Sequence, residues 1–357
     1  MSIKKLLKQM IDVKASDLFY RAGGIPHFRV DGKIIPAGKL NLTVDDVLES
    51  VDELATPKQR EVFKNSMDVD FAIYIEELDQ RFRISIFMQR NYPAIVIRNV
   101  CPKVPPLEEL NLPTEALKKL ALESRGLVLL TGATGSGKST TIASMINYIN
   151  HNCYKHVLTV EEPIEFVFED KNCVVNQREL GFDVSSYDVA LRAFTLQSPD
   201  VIFIGNIRDN NTMSAALTAA ETGVLVLSTL HTINASQTVE RVINFFPPYQ
   251  HQEIRNQVSN LLKGVISLRL VPLKNGSGRI PAFETMLLTP TISRLIREGK
   301  LWEIPQYIEE GAVYGMQSFA QSLVKLVKEG KISEEEAANF SDNKDEFLLA
   351  LRGIKRV

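Results

Sequence analysis

The segment that decides the fold reads Gly132-Ala-Thr-Gly-Ser-Gly137-Lys138-Ser139, which matches the pattern G-x-x-x-x-G-K-[ST]. A short apolar strand at residues 127–130 runs into this loop, and a helix is predicted to begin at Lys138. Glycines let backbone N–H groups converge on phosphate oxygens, and a helix N-terminus adds the positive end of its dipole. The segment therefore predicts a phosphate-binding loop at the end of a buried strand.

The side chains of this loop predict the ligand. Lys138 is expected to reach the β- and γ-phosphates of ATP, and the Ser139 hydroxyl is expected to bind Mg²⁺. The alternative is a glycine-rich turn that binds nothing. The predicted nucleotide-binding residues of the loop are Gly132, Ala133, Thr134, Gly135, Ser136, Gly137, Lys138, Ser139 and Thr140, and the predicted metal ligand is Ser139.

Strands and helices alternate on both sides of the loop. Apolar segments of strand length occupy residues 127–130, 157–160, 201–204 and 225–229, with helical stretches between them. This alternation predicts an α/β domain with a mainly parallel sheet. From Tyr249 the pattern is mainly helical, with a hairpin predicted around Asn275–Gly278 and a terminal helix that Ser333 and Glu336 cap.

The first hundred residues mix helices with strands. The first ten predict an amphipathic helix, Asp31-Gly32 predicts a hairpin turn, and residues 43–63 predict one or two helices. Segments 69–75 and 81–87 alternate in hydrophobicity, as strands do. Four prolines fall within residues 99–113, where each removes a backbone donor. We therefore predict a small α+β domain over 1–98, a proline-rich linker over 99–113 and the α/β domain over 114–357.

The composition narrows the class of protein. Of the 357 residues, 45% are hydrophobic and 24% are charged, which excludes the disordered and fibrous classes. The net charge of −2 gives no whole-chain attraction to nucleic acid, so no nucleic-acid partner is expected. No apolar run approaches the roughly 20 residues that span a bilayer, and no cleavable signal is readable, so a cytoplasmic protein is expected. The three cysteines include no C-x-x-C pair and predict neither a disulfide framework nor a zinc ribbon.

Further segments carry a resemblance to a known family. Residues 157–166 look like an acidic box, residues 198–209 look like a Walker B segment, and residues 220–232 look like a histidine box. With the phosphate loop they resemble the ATPases of type II and type IV secretion. Within that superfamily, residues 15–18, 174–179 and 315–319 resemble the retraction ATPases of type IV pili, the PilT/PilU family, and its PilU-like members in particular.

The resemblance implies a fold and a function. It implies a RecA-like P-loop motor domain with a helical C-terminal part, preceded by a small PAS-like α+β domain. The function implied is that of a hexameric ATPase subunit that drives pilus retraction and twitching motility from the cytoplasmic side of the inner membrane. Its implied partners are further copies of the chain, a membrane platform protein and a paralogous retraction ATPase.

Pilus extension is a competing function. Extension relatives usually carry a four-cysteine zinc motif and a large extra N-terminal domain, whereas no cysteine follows Cys173 and the chain begins with the small domain. Retraction is therefore favoured. A RecA-like nucleic-acid motor is a further alternative, disfavoured by the charge balance.

The resemblance also assigns site residues. Carboxylates in the acidic box are expected to approach Mg²⁺ and the attacking water, and the histidine is expected to sense the γ-phosphate or couple subunits. Without the resemblance, the carboxylates would be a solvated turn, the histidine a structural residue and the arginines of the first domain a solvated strand face. The predicted catalytic residues are Glu161, Glu162, Glu165, Asn206, Arg208 and His231. The arginines expected to reach nucleotide across a domain or subunit boundary are Arg81, Arg83, Arg90 and Arg98.

Three departures from the family pattern concern the catalytic elements. Asn206 stands where the Walker B segment carries a glutamate, and an amide can orient water but cannot accept its proton. Val224 replaces the first histidine of the histidine box, and residues 196–198 replace charged residues. Loss of a positioned general base costs roughly 10²–10⁴ in rate. The alternative function is therefore a nucleotide-binding accessory subunit with weak or no hydrolysis, which assists an active paralogue.

Overall fold

The chain folds as two compact units. The computed structural model describes residues 2–30, 32–100, 103–276 and 278–353. One unit comprises Met1–Lys103 with the short segment Pro163–Val167, and the other comprises Val104–Glu162 with Phe168–Val357. The change from one unit to the other at Lys103 falls within residues 99–113. The linker assigned to those residues, and the domain limits beside it, stay predictions.

The first unit is built on a six-stranded antiparallel sheet. Its strand order is β3-β2-β1-β6-β5-β4, and α2 and α3 each begin with a capping box, at Thr43 and Thr56. These caps satisfy N–H groups that a helix start leaves unpaired. The elements are α1 (Ile3–Asp12), β1 (Asp17–Arg21), β2 (His27–Val30), β3 (Lys33–Pro36), α2 (Val44–Leu54), α3 (Pro57–Ser66), β4 (Asp68–Ile75), β5 (Gln80–Gln89) and β6 (Tyr92–Val100).

Most sequence-based expectations for this unit are confirmed. The N-terminal helix is α1, and the region after Thr43 holds two helices. The predicted hairpin exists, because β2 and β3 pair antiparallel and Gly32 has a φ of 80°. Asp31, the other residue of that predicted turn, lies outside the described residues. The central strand β6 was missing from the prediction, although it lies between β1 and β5.

The second unit alternates strands and helices and then becomes mainly helical. Short 3₁₀ turns at residues 107–109, 248–250, 301–303 and 311–314 join some of its elements. The elements are α4 (Thr114–Ala121), β7 (Gly126–Thr131), α5 (Lys138–Asn152), β8 (His156–Glu161), β9 (Val174–Glu179), α6 (Tyr187–Phe194), β10 (Val201–Ile204), α7 (Asn210–Glu221), β11 (Leu225–Leu230), α8 (Ala235–Asn244), α9 (His251–Leu261), β12 (Leu262–Pro272), β13 (Arg279–Leu287), α10 (Pro290–Glu298), α11 (Ile304–Glu310), α12 (Phe319–Lys328), α13 (Glu334–Phe340) and α14 (Lys344–Leu351).

Its seven-stranded sheet is mainly parallel, as predicted. The strand order is β13-β12-β7-β11-β10-β8-β9, and among the described residues β13 alone runs antiparallel to its neighbour. All residues of β7, β10 and β11 are buried and most are apolar, so these strands are covered on both faces. Burying each such Leu or Val side chain contributes about 1.5–3 kcal/mol. The carboxyl ends of the parallel strands therefore meet at one fixed edge.

The C-terminal helices have a core of their own. Phe319, Leu323 and Phe347 pack with Val271 and Ile280 of the β12–β13 hairpin. That hairpin confirms the predicted turn, although Ser277 within it lies outside the described residues. The helix that Ser333 caps is α13, and α14 follows it, so the predicted terminal helix is two helices.

No helix in the described parts of the chain is long and apolar enough to cross a bilayer.

Candidate functional site

The loop after β7 encloses the side chain of its own lysine. Lys138 begins α5 and is only 7% exposed. Its Nζ donates hydrogen bonds to the carbonyl oxygens of Gly132, at 2.7 Å, and Ala133, at 2.9 Å. The ammonium therefore lies inside the curve of the loop, where a bound anion would meet both the charge and the N-terminal end of α5.

Glycine is required at the start of this loop. Gly132 has a φ of +139°, and a Cβ there would lie 2.4 Å from the carbonyl oxygen of Leu268 and 2.6 Å from Oγ of Ser136. Gly137, the N-cap of α5, also has a positive φ, of +99°. The loop therefore holds a backbone conformation that L side chains rarely adopt. This conformation leaves Ala133, Thr134 and Gly135 exposed around the lysine.

Hydroxyl-bearing residues flank the lysine in the sequence. Within the described residues, Oγ of Ser136 is buried without a hydrogen-bond partner. Ser139 and Thr140 occupy the first turn of α5 and are partly exposed. A buried hydroxyl without a partner costs about 1–3 kcal/mol. A phosphate oxygen or a metal-bound water would satisfy such groups, so the residues present fit a nucleotide and its cation.

The first glutamate of the acidic box is held by two hydrogen bonds. Glu161 is the last residue of β8 and is 7% exposed. Its Oε1 accepts hydrogen bonds from Oγ1 of Thr159, at 2.6 Å, and from Nε2 of Gln177, at 3.0 Å. Gln177 belongs to the neighbouring strand β9, so two strands fix this carboxylate. It lies at the carboxyl edge of the sheet, where β7 enters the phosphate loop.

The next acidic residue pairs with an arginine. Oε2 of Glu162 lies 3.1 Å from Nη1 of Arg208, which follows β10. Both side chains are substantially exposed, so the pair contributes about 0–1 kcal/mol to stability. Its consequence is geometric, because it joins the ends of β8 and β10. The ends already approach closely, since a Cβ on Gly205 would lie 3.3 Å from Cα of Glu161.

Asn206 has an unused acceptor. Its Oδ1 is buried and accepts no hydrogen bond from the residues that the structure describes. The Tyr187 hydroxyl is in the same condition, and its oxygen lies 3.6 Å from the point where a Gly205 Cβ would stand. Burial, followed by the charge of Glu162, raises the pKa of Tyr187 to about 12, so its hydroxyl remains protonated. One donor and one acceptor are thus unpaired beside the acidic residues.

Sequence reasoning missed Tyr187 because it only marks the beginning of a helix. Ser186 caps α6 by accepting a hydrogen bond from the N–H of Val189, which explains the helix start without reference to the site. Only the close packing of β8 and β10 brings this hydroxyl to the site. No sequence signal could have identified it.

His231 follows β11 at the same edge of the sheet. The residue is exposed. The partial loss of hydration around its ring is the main cause that lowers its pKa. The charges of Lys138 and Arg208 lower that pKa further. These effects favour the neutral ring near neutral pH, which can donate one hydrogen bond and accept another. The charge of the phosphate-loop lysine therefore acts on the ring of this histidine.

The remaining predicted residues belong to the first unit. Nε of Arg98 lies 3.0 Å from Oδ1 of Asp17, and Nε of Arg81 donates to the carbonyl oxygen of Ile164 at 3.1 Å. Arg83 lies on β5, and Arg90, which is exposed with a φ of 49°, lies in the turn after it. Glu165 belongs to the segment Pro163–Val167 that groups with this unit. The expected roles of Glu165 and the four arginines stay predictions.

The sequence of this site matches a known protein family. The model of the type II/IV secretion system protein family matches residues 1–279. The chain belongs to this family. Its members in Pseudomonas aeruginosa include the type IV pilus ATPase PilU, 41% identical over 352 residues that cover 99% of this chain and 92% of that protein. Another relative there is the type IV pilus retraction ATPase PilT, 42% identical over 337 residues, which cover 94% of this chain and 97% of that protein.

Solved structures of secretion ATPases share the fold. A crystal structure of the pilus retraction motor PilT with bound ADP superimposes with a TM-score of 0.91 at 40% identity, covering 97% of this chain and 98% of that one. The ATPase DotB of Legionella pneumophila gives a TM-score of 0.81 at 25% identity, covering 99% of this chain and 96% of that one. The predicted RecA-like fold and the predicted relationship to the retraction ATPase family are both confirmed.

Proposed function

We propose that the chain is an ATP-binding subunit of a hexameric motor that retracts type IV pili. The relatives named for pilus ATPase and retraction activity match more than nine tenths of the chain. The PilT structure, which shares the fold, contains ADP. The single observation that carries the proposal is the position of Lys138, which the phosphate loop holds at the N-terminus of α5.

The nucleotide would be bound mainly by backbone groups. The N–H groups between Ala133 and Ser139 face the phosphates, and Lys138 exchanges its two carbonyl partners for phosphate oxygens. Ser139 would supply one oxygen ligand to Mg²⁺. The described residues contain no group of three His, Cys, Asp or Glu that could hold a metal. Mg²⁺ would be held by this one protein hydroxyl together with phosphate oxygens and water.

The other site residues would act on water and on the γ-phosphate. Glu161, already fixed by two hydrogen bonds, orients the attacking water or a metal-bound water. Glu162 and Arg208 hold the ends of two strands together, and a neutral His231 forms a hydrogen bond with the γ-phosphate. Hydrolysis by such a site rests on positioning and electrostatic stabilisation.

The assembly would be a ring at the cytoplasmic face of the inner membrane. Arg81, Arg83, Arg90 and Arg98 then contact nucleotide across a domain or subunit boundary, and ATP binding changes the angle between domains. The ring would act on a membrane platform protein and work with a paralogous retraction ATPase.

Calorimetric titration with Mg²⁺-ADP and light scattering with an ATP analogue test this function. We expect saturable nucleotide binding and a particle of about six subunits' mass, since homo-oligomers of this type close into rings. A folded protein with no affinity for either nucleotide, or a strict monomer in the presence of the analogue, would refute the proposal.

An accessory role is the second candidate. The observation that favours this role concerns Asn206. Its amide oxygen is unpaired and cannot serve as a general base. Phosphate release should be measured for the unmodified chain, for the chain with an active paralogue, and for Asn206→Glu. Robust turnover by the unmodified chain alone would exclude the accessory role, whereas a gain of roughly 10²-fold in Asn206→Glu would support it.

A further inference from the structure

The loop that presents His231 is tied to a strand two positions away from β11 in the sheet. Nη2 of Arg269, on β12, donates a hydrogen bond to the carbonyl oxygen of Ile233 at 3.2 Å. Two residues later, the N–H of Ala235 donates to Oε1 of Glu284, on β13, at 2.7 Å. The β12–β13 hairpin therefore holds this loop at two backbone positions that lie two residues apart.

Arg269 also contacts the C-terminal helices. Its Nη1 donates to the carbonyl oxygen of Phe340 at 2.6 Å, and its Nη2 forms an ion pair with Asp342. The guanidinium lies over the ring of Phe319, 3.8 Å from its centroid. The arginine side chain is only 16% exposed, although its partners Asp342, at 46%, and Ile233, at 51%, are exposed themselves. A planar guanidinium with five donors can bond several partners at once.

These partners lie at one place in the fold. Phe340 is the last residue of α13, and Asp342 lies in the short connection to α14. Helix α14 is anchored beside them by Phe347, which is fully buried in the C-terminal core. A single side chain therefore joins the end of α13 and the connection to α14 to the histidine loop.

We propose that Arg269 is a positioning residue that couples the α13–α14 junction to the loop presenting His231. A displacement of the junction must break a hydrogen bond of a shielded guanidinium or move Ile233 with it. Leaving such a charged group without partners is costly, so the two elements shift together. Anything that moves α13 or α14 then changes the position of the histidine. The inference rests on the proposed function, because it requires nucleotide at the phosphate loop.

A double-mutant cycle tests the coupling. The quantity is the preference for a non-hydrolysable ATP analogue over ADP, from calorimetric dissociation constants with Mg²⁺, in unmodified protein, Arg269→Gln, His231→Ala and the double variant. Each single change should reduce the preference roughly ten-fold while ADP affinity changes less than about two-fold. Because both act through one loop, the double variant should lose no more than the larger single effect.

The control is Arg279→Gln, at the exposed start of β13 in the same hairpin, which should leave the preference unchanged. An unchanged preference in Arg269→Gln, or effects that add in the double variant, would overturn the coupling. Absence of ADP binding by the unmodified protein would instead refute the proposed function, and this is visible before any variant is made.

A milder change guards against a variant that does not fold. Asp342→Asn removes the negative charge of one partly exposed partner but keeps an acceptor oxygen, and it leaves the other bonds of Arg269 in place. It should reduce the preference roughly two- to three-fold. Amide hydrogen exchange in α14 gives a second readout. Exchange should be slower with the ATP analogue than with ADP in the unmodified protein, and equal with both in Arg269→Gln. A retained nucleotide dependence in that variant would contradict the coupling.

Discussion

The ammonium of Lys138 donates a hydrogen bond to the carbonyl oxygen of Gly132, 2.7 Å away, so the loop encloses the cation that is expected to bind phosphate. These are the first and seventh residues of the loop. Without the ammonium, the loop carbonyls lose a charged donor and the bound phosphates lose a positive charge.

Replacing this lysine should weaken nucleotide binding. Lys138→Met keeps the aliphatic stem and removes the charge, so the affinity for Mg²⁺-ADP should fall roughly 10- to 100-fold, the equivalent of one charged hydrogen bond. Calorimetry measures the change. The control is Lys171→Met, at an exposed lysine outside the loop, which should bind as the unmodified protein does. Equal affinity in both variants would contradict the assigned role of Lys138.

Two glycines of the loop should differ in their tolerance of a methyl group. Gly132→Ala brings Cβ to 2.4 Å from a backbone oxygen, and Gly135→Ala meets no atom within 4 Å, although both have a positive φ. Gly135→Ala should therefore cost about 1–2 kcal/mol of unfolding free energy. Gly132→Ala should cost about 1–3 kcal/mol more, from overpacking against backbone. Chemical denaturation measures both, and equal losses would show that the close contact is unimportant.

Removal of the Tyr187 hydroxyl should stabilise the protein. The hydroxyl is buried without a partner, so Tyr187→Phe should raise the unfolding free energy by about 1 kcal/mol. Thermal or chemical unfolding checks this. The matched variant is Tyr154→Phe at a tyrosine that is 87% exposed, where no change is expected. A loss of stability in Tyr187→Phe would indicate that the hydroxyl is satisfied in solution.

The buried carboxyl of Glu284 should make stability depend on pH. Burial, as the main cause, raises its pKa from 4.5 to about 7, and the nearby charge of Asp342 adds to this, whereas the amide of Ala235 and the charge of Arg269 oppose it. The folded state therefore binds the proton more tightly than the unfolded chain. The contribution of this tighter proton binding to the unfolding free energy is fully present below pH 4.5 and is lost as pH rises through 7.

Glu284→Gln keeps an acceptor for Ala235 and cannot ionise. Relative to the unmodified protein, this variant should gain about 3 kcal/mol of unfolding free energy between pH 4.5 and pH 8, the equivalent of the pKa difference. Denaturation curves at several pH values measure this. For Glu240→Gln, at an exposed position, the plot of unfolding free energy against pH should run parallel to that of the unmodified protein. A parallel curve for Glu284→Gln would mean that this carboxyl titrates normally.

The sequence predicts the second unit better than the first. The strand, loop and helix around Lys138 follow from a continuous apolar run, a glycine pattern and a helical period, which are all local signals. Strand β6 was missed because Pro93 argues against a strand. The proline is tolerated as the second residue of β6, beside the turn that follows β5.

The site was predicted as a set of segments, whereas its contacts depend on tertiary structure. The ion pair of Glu162 with Arg208 joins residues 46 positions apart, and the contacts of Arg269 extend to Asp342. Neither pairing has a sequence period or spacing that would reveal it. The unpaired atoms of Tyr187 and Asn206 depend on the close approach of two strand ends. Sequence patterns indicate which residues are present, but contacts of this kind emerge only when the sheet is assembled.

Strand β7 has a mechanical consequence for any motor built on this unit. All six of its residues are buried, and it is bonded to β11 on one edge and to β12 on the other. Such a strand cannot shift without opening the core, so it serves as a fixed support from which the phosphate loop is suspended. Any movement that follows nucleotide binding must therefore be carried by the loops at residues 132–137, 205–209 and 231–234 and by the contacts that hold them, while the sheet beneath them stays stationary.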